Sequence, residues 1–145
     1  MFTGVVAGAA PIAIMPAIGK KMLRINVIVD EVNDLKSDRN VCMITFHGDA
    51  ESEYFKGKIL PGGVDTQRSV EGGMLLSARY MLEGIDMNGK PAKLFIENEG
   101  ISRQGEDIVT KPVFITDDAD LKWLETASLK GYITGTKDGV LIEID

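Results

Sequence analysis

Four polar side chains carry the chemistry this chain could do: Asp65, Gln67, Arg79 and Asn98. Asp65 and Gln67 lie two residues apart, just after the double glycine Gly62-Gly63, so an extended backbone projects both from one face. Arg79 is flanked by Leu76, Ala78, Tyr80 and Leu82. An arginine against apolar walls must pair with an acid or receive a polar ligand; the alternative is a surface residue with a packed stem. Read together, Arg79 would anchor an anionic group, and Asp65 would be its counter-charge or a general base. Gln67 and Asn98 would orient the ligand through their amides. Such a set suits an oxygen-bearing aromatic or carboxylate molecule, with Asp65 the candidate catalytic residue.

Other chemistries find less support. His47 is the only histidine and Cys42 the only cysteine. Five residues apart on one strand, they project to opposite faces, so a Cys–His nucleophile pair would need a bulge between them. They also leave a zinc shell short of ligands, and no metal site is expected. Histidine is the natural proton carrier near neutral pH, but His47 reads first as a surface or turn residue. The run Asp117-Asp118-Ala119-Asp120 lacks the loop length, turn glycine and distal glutamate of an EF-hand and reads as helix capping. Neither a G-x-G-x-x-G fingerprint nor a Walker-type loop is present, and no cofactor is expected.

The 145 residues, 44% hydrophobic, suffice for one buried core and one domain. Lys+Arg 16 against Asp+Glu 22 gives a formal net charge of -6, which argues against a nucleic-acid partner. A single cysteine cannot form an intramolecular disulfide and favours a reducing cytoplasm. The stretch Phe2 to Ile18 is apolar and uncharged, but Lys20, Lys21 and Arg24 follow it, whereas a secretory signal places its charges first. Pro11 and Pro16 and its short length make it a poor membrane span. Residues 1–21 therefore read as an arm that mediates homo-oligomerisation (a dimer), as a tag remnant, or as a mis-called start ahead of Met22. Residues 22–145 would be the folded domain, and the arm would be dispensable for it.

The elements that must position the polar set are short runs rich in Val, Ile, Phe, Tyr and Thr, broken by Gly and Asn/Asp turns. Strands are predicted at 23–30, 41–47, 53–60, 64–70, 75–85, 92–98, 108–116, 129–134 and 140–144, with one short helix over 118–126 that would plug or cover an open end. Asn88-Gly89 and Asp138-Gly139 suit type I′ hairpins, and Gly72-Gly73 a third turn. A two-residue turn at Asn88-Gly89 sets Met87 opposite Lys90. Continued along the strands, that register puts Arg79 opposite Asn98 and Tyr80 opposite Glu97. The pattern predicts an all-β fold: a closed or nearly closed antiparallel barrel of about eight to ten strands, whose interior is just filled or holds one small ligand.

The run Gly57-x-x-Leu60-Pro61-Gly62-Gly63-x-Asp65-x-Gln67 resembles the bacterial and fungal family known as domain of unknown function 3237, as do Ala78-Arg79-Tyr80, Asn98-x-Gly100, Pro112-x-Phe114 and Trp123-Leu124. These pieces fall in the expected order over about two thirds of the chain. The resemblance implies a calycin- or lipocalin-like barrel and selects Asp65, Gln67, Arg79 and Asn98 as the recurrent polar positions. The chain departs from the pattern at Thr66, where an aromatic residue is usual, and in the turn from Asp86 to Pro91. Two functions are compatible with these observations. One is a small-molecule enzyme or binding protein using the barrel lumen. The other is an interaction or structural domain whose polar strip is an internal network.

Overall fold

The computed structural model of the chain describes residues 22–145. They form nine strands and one short 3₁₀ helix: β1 Leu23–Leu35, β2 Val41–Glu51, β3 Phe55–Ile59, β4 Val64–Val70, β5 Gly73–Asp86, β6 Pro91–Ser102, β7 Ile108–Thr116, the helix Ala119–Glu125, β8 Gly131–Gly135 and β9 Gly139–Ile144. Every predicted strand is present, most of them longer than the pattern suggested. The arm at residues 1–21 lies outside the described residues. Among those described, no helix is long and apolar enough to cross a membrane.

All pairings are antiparallel, and β1 pairs with both β9 and β2, which closes the sheet into a barrel. β3 and β4 both pair with β2 on one side and β5 on the other, so they are one barrel strand interrupted by Leu60 to Gly63, and the barrel has eight positions. Closure leaves no free edge.

Alternation along the strands divides inside from outside. The end of the barrel that carries the β5–β6 hairpin is packed solid, with Leu23, Ile25, Leu82, Leu94, Ile96 and Ile144 at 2% exposure or less. Burying each such side chain stabilises by about 2 kcal/mol. The helix closes this end. Leu121 and Leu124 are buried in the core, Trp123 stacks edge-on against Tyr54 with centroids 5.2 Å apart, and Asp118 caps the first turn by accepting from the Asp120 N–H at 3.0 Å. The acidic run does what capping predicts.

The β5–β6 hairpin differs from the predicted one, and the difference moves a site residue. The Gly89 N–H donates to the Asp86 carbonyl at 3.0 Å and the Asp86 N–H to the Lys90 carbonyl at 2.9 Å, so three residues, Met87 to Gly89, form the loop. This is a type I turn completed by Gly89 at φ 76°; among the described residues no non-glycine has positive φ, which rules out type I′ at both Asn88-Gly89 and Asp138-Gly139. The Asp86 carboxylate fixes the turn by accepting from the N–H groups of Asn88 (2.8 Å) and Lys90 (2.9 Å). One extra loop residue slips the register by one: Arg79 lies opposite Glu97, Tyr80 opposite Ile96, and Ala78 opposite Asn98.

Candidate functional site

The barrel half away from the helix is hollow. A cavity of about 220 Å³ is lined by residues of every strand except β3, with the partly exposed Met74, Ser102 and Ile108 among them. Its walls are apolar, among them Val27, Phe46, Leu76 and Ile142, with a few polar groups between them: Asp65, Gln67, Tyr80, Asn98 and Thr110.

Strand register explains their positions. Ile44, Asp65, Ala78 and Asn98 form one row across β2, β4, β5 and β6. Asp65 and Asn98 therefore stand two strands apart, about 10 Å between backbones, with only the Ala78 methyl between them. Tyr80 rises from the next inward position on β5, its ring edge-on to Phe46 at 5.4 Å between centroids. Gly63, at the β3–β4 interruption, permits this packing, because a Cβ there would lie 3.0 Å from the Tyr80 Cβ and 3.1 Å from the Phe46 ring.

The polar groups are incompletely paired. Gln67 Nε2 donates to Asp65 Oδ2 at 2.8 Å and holds the carboxylate in place, but Asp65 Oδ1, Tyr80 Oη and Asn98 Oδ1 are buried without a hydrogen-bond partner. Burial pushes the Asp65 carboxyl above its ordinary value, and hydrogen bonds from Gln67 and the Ser77 backbone only partly oppose this. Burial, with the Asp65 charge nearby, lifts the Tyr80 phenol far above its ordinary range, so Tyr80 is a neutral donor at any physiological pH. Cys42 pairs with Gln67 across β2 and β4, and its thiol is raised by burial and by Asp34 and Asp65 against a small opposing effect of Lys36.

Three of the four residues singled out in the sequence, Asp65, Gln67 and Asn98, face this cavity. Arg79 does not. It projects from the outer face of β5, about half exposed, and its Nε donates to Glu97 Oε2 at 3.0 Å. The expected anion anchor is thus absent from the lumen, because the one-residue slip turned Arg79 outward and brought Tyr80 in. Alternation along β5 carried the signal: Leu76, Ala78, Tyr80 and Leu82 include no charge, while Ser77, Arg79 and Glu83 occupy the intervening positions. His47 lies on the outside, its Nδ1 2.7 Å from Asp30 Oδ1 and more than half exposed. Strand β2 has no bulge between Cys42 and His47, which project to opposite faces.

A family model described as Protein of unknown function (DUF3237) matches residues 20–145. The chain belongs to this family. Among solved structures, the DUF3237 chain is similar to a protein of unknown function from Clostridium acetobutylicum ATCC 824, with 26% identity and a TM-score of 0.73 over 86% of this chain and 93% of that one. A conserved protein of unknown function from Rhodopseudomonas palustris matches at 23% identity and TM-score 0.69, again over 86% and 93%. A β-barrel-like protein from Acinetobacter baumannii AYE matches at 18% identity and TM-score 0.68, over 86% and 91%. These last two likenesses establish the fold alone. No curated protein matches the chain.

At the plugged end of the DUF3237 barrel, a second polar cluster went unnoticed in the sequence because its members are far apart. Ligand oxygens of Asp86, Asp118 and Asp120 lie within 4.8 Å of one another. Lys90 Nζ already sits among them, 3.0 Å from Asp118 Oδ1 and 3.1 Å from Asp120 Oδ2. Burial pushes the Asp86 carboxyl up, but hydrogen bonding with Asp118 and from the Lys90 and Asn88 N–H groups, with the Lys90 charge, holds it below its ordinary value. This cluster ties the β5–β6 turn to the helix cap.

Proposed function

We propose that the open half of the barrel binds one small, predominantly apolar molecule, and that Asp65, Tyr80 and Asn98 recognise its polar group. The observation that carries this reading is the set of three buried, unpartnered polar atoms lining one apolar cavity. Buried polar groups in a folded protein are almost always satisfied, and these three differ from the unpartnered oxygens of Tyr54, Asp86 and Asp118 in sharing one apolar cavity with room for a ligand. In that complex Asp65 is the group able to accept a proton, Tyr80 the neutral donor, and Gln67 the residue that positions Asp65. The test is a thermal-shift screen of a metabolite library with the wild type and with Ala78→Leu, which fills the row between Asp65 and Asn98. A ligand at a hundred times its dissociation constant stabilises by about 2.7 kcal/mol. Hits that vanish in Ala78→Leu support the reading; a library without hits, or hits indifferent to that substitution, count against it.

A second reading, self-association, is favoured by the outer face of β5, β6 and β7. There Met81, Phe95 and Ile115 form one cross-strand row and Val113 lies beside it, with Val113 50% and Ile115 57% exposed. The neighbouring Arg79–Glu97 pair offers both charge signs to a two-fold-related copy. Val113→Glu should then lower the mass measured by analytical ultracentrifugation, and a monomeric wild type would refute this reading.

A further inference from the structure

On the lumen reading just given, we infer that the ligand is a small hydrophobic amine, bound as its ammonium ion between Asp65 and Asn98. The argument begins with the charges that line the cavity. Asp65 is the one carboxylic acid among its lining residues, and no Lys, Arg or His is among them. Arg79, between the lining residues Ala78 and Tyr80, lies on the outer surface and is engaged by Glu97, and Arg68, beside Gln67, is exposed. A carboxylate ligand would therefore meet a like charge in a site of low dielectric with no cation to offset it.

The unpartnered atoms specify the rest of the headgroup. Asp65 Oδ1 and Asn98 Oδ1 are both acceptors, and the third unpartnered atom, Tyr80 Oη, can accept as well as donate, so a partner that brings donors serves all three. Gln67 leaves only Oδ1 of the carboxylate open, which fixes the direction from which a donor must approach. The Ala78 row leaves a gap of about 10 Å between the two backbones, wide enough for one nitrogen to reach both side chains. An ammonium provides three N–H donors and pairs with the carboxylate in a charge-assisted bond, stronger than a neutral hydroxyl can make. Burial without such a partner raises the Asp65 carboxyl, and a cation beside it reverses that effect.

Size and wall chemistry set the apolar part. A cavity of about 150 Å³ lined by Leu, Ile and Phe holds one benzene. At about 220 Å³, with Phe46 and Tyr80 edge-on at one side, this lumen accommodates an aromatic ring with a short alkyl link to the nitrogen. The formal net charge of -6 also favours the approach of a cation over an anion.

The test uses three probes of one shape, 2-phenylethylamine, 2-phenylethanol and phenylacetate, titrated calorimetrically into the full chain at neutral pH. The amine should bind roughly tenfold tighter than the alcohol, and phenylacetate should not bind measurably. In Asp65→Asn the amine should lose that advantage while the alcohol keeps its affinity. Ala78→Leu, or Ala78→Val if the larger side chain prevents folding, should abolish binding of both. Wild-type protein that prefers the alcohol or phenylacetate overturns the amine and leaves the lumen site standing. Amine binding that survives Asp65→Asn or the Ala78 variants places the amine elsewhere on this acidic surface and also overturns it. If all three probes fail with the wild type, the lumen reading falls and the inference with it.

Discussion

The two ends of the barrel treat buried carboxylates in opposite ways. At the plugged end, Asp86 and Asp118 are 4% and 3% exposed, yet between them they accept from three backbone N–H groups and the Lys90 ammonium. At the open end, Asp65 receives only the Gln67 amide and the Ser77 backbone, and one of its oxygens has no partner. The carboxyls shift accordingly, Asp86 below its ordinary value and Asp65 above it. A buried carboxylate held by several N–H groups and an ammonium ties its elements together; one with two neutral donors and no cation costs stability and persists where a ligand completes it. Asp86 Oδ2 and Asp118 Oδ2 also lack a hydrogen-bond partner, so the contrast rests on the Lys90 cation and the larger number of donors at the plugged end.

Substitutions break or sharpen that contrast in descending order of effect. Asp86→Ala removes the acceptor that fixes the β5–β6 turn and the partner of Asp118, and should destabilise by about 2 kcal/mol, roughly 6–8 °C in a thermal melt followed by circular dichroism. A loss under about 2 °C would show that the plugged end does not depend on its polar network.

Asp65→Asn should act in the other direction, raising the stability of the unliganded protein at pH 7 by about 1 kcal/mol, because it removes an under-compensated buried charge. The pH dependence follows from the signs. The folded carboxyl of Asp65 lies above 3.8, so its favourable contribution is full below that value and is lost as pH rises through its folded pKa. For Asp86, held below 3.8, the contribution is present above that value and is lost as pH falls through its folded pKa. Melting temperature against pH should accordingly lose slope above pH 3.8 in Asp65→Asn and below it in Asp86→Ala. Both variants losing slope in the same window would undo the comparison.

Tyr80→Phe deletes a hydroxyl that has no partner and should change unliganded stability by no more than about 1 kcal/mol, while weakening ligand binding. A loss of several degrees in the unliganded protein would mean that the hydroxyl is satisfied. Arg79→Met should have the smallest effect, within about 0.5 kcal/mol and with no change in lumen affinity, since the Arg79–Glu97 pair is exposed. Loss of ligand binding in Arg79→Met would return this arginine to the site.

Much of this architecture was legible in the sequence. The β segments, their turn glycines, the cap at Asp118 and the shared face of Asp65 and Gln67 are local properties, set by side-chain alternation and by which residues tolerate a turn. The match of the G-x-x-L-P-G-G-x-D-x-Q run to a family pattern was equally available before any coordinates. The placement of Arg79 was half legible: alternation along β5 favours an outward Arg79, while its partner on β6 depended on tertiary structure. A two-residue and a three-residue loop both fit Asp86 to Lys90, and only the hydrogen bonds made by the Asp86 carboxylate select the longer one. That one residue exchanged Arg79 for Tyr80 in the lumen and changed the expected ligand from an anion to a cation. The carboxylate cluster at the plug and the row Asp65, Ala78, Asn98 were likewise decided by closure, because each joins strands or turns that the sequence separates and that only pairing brings together.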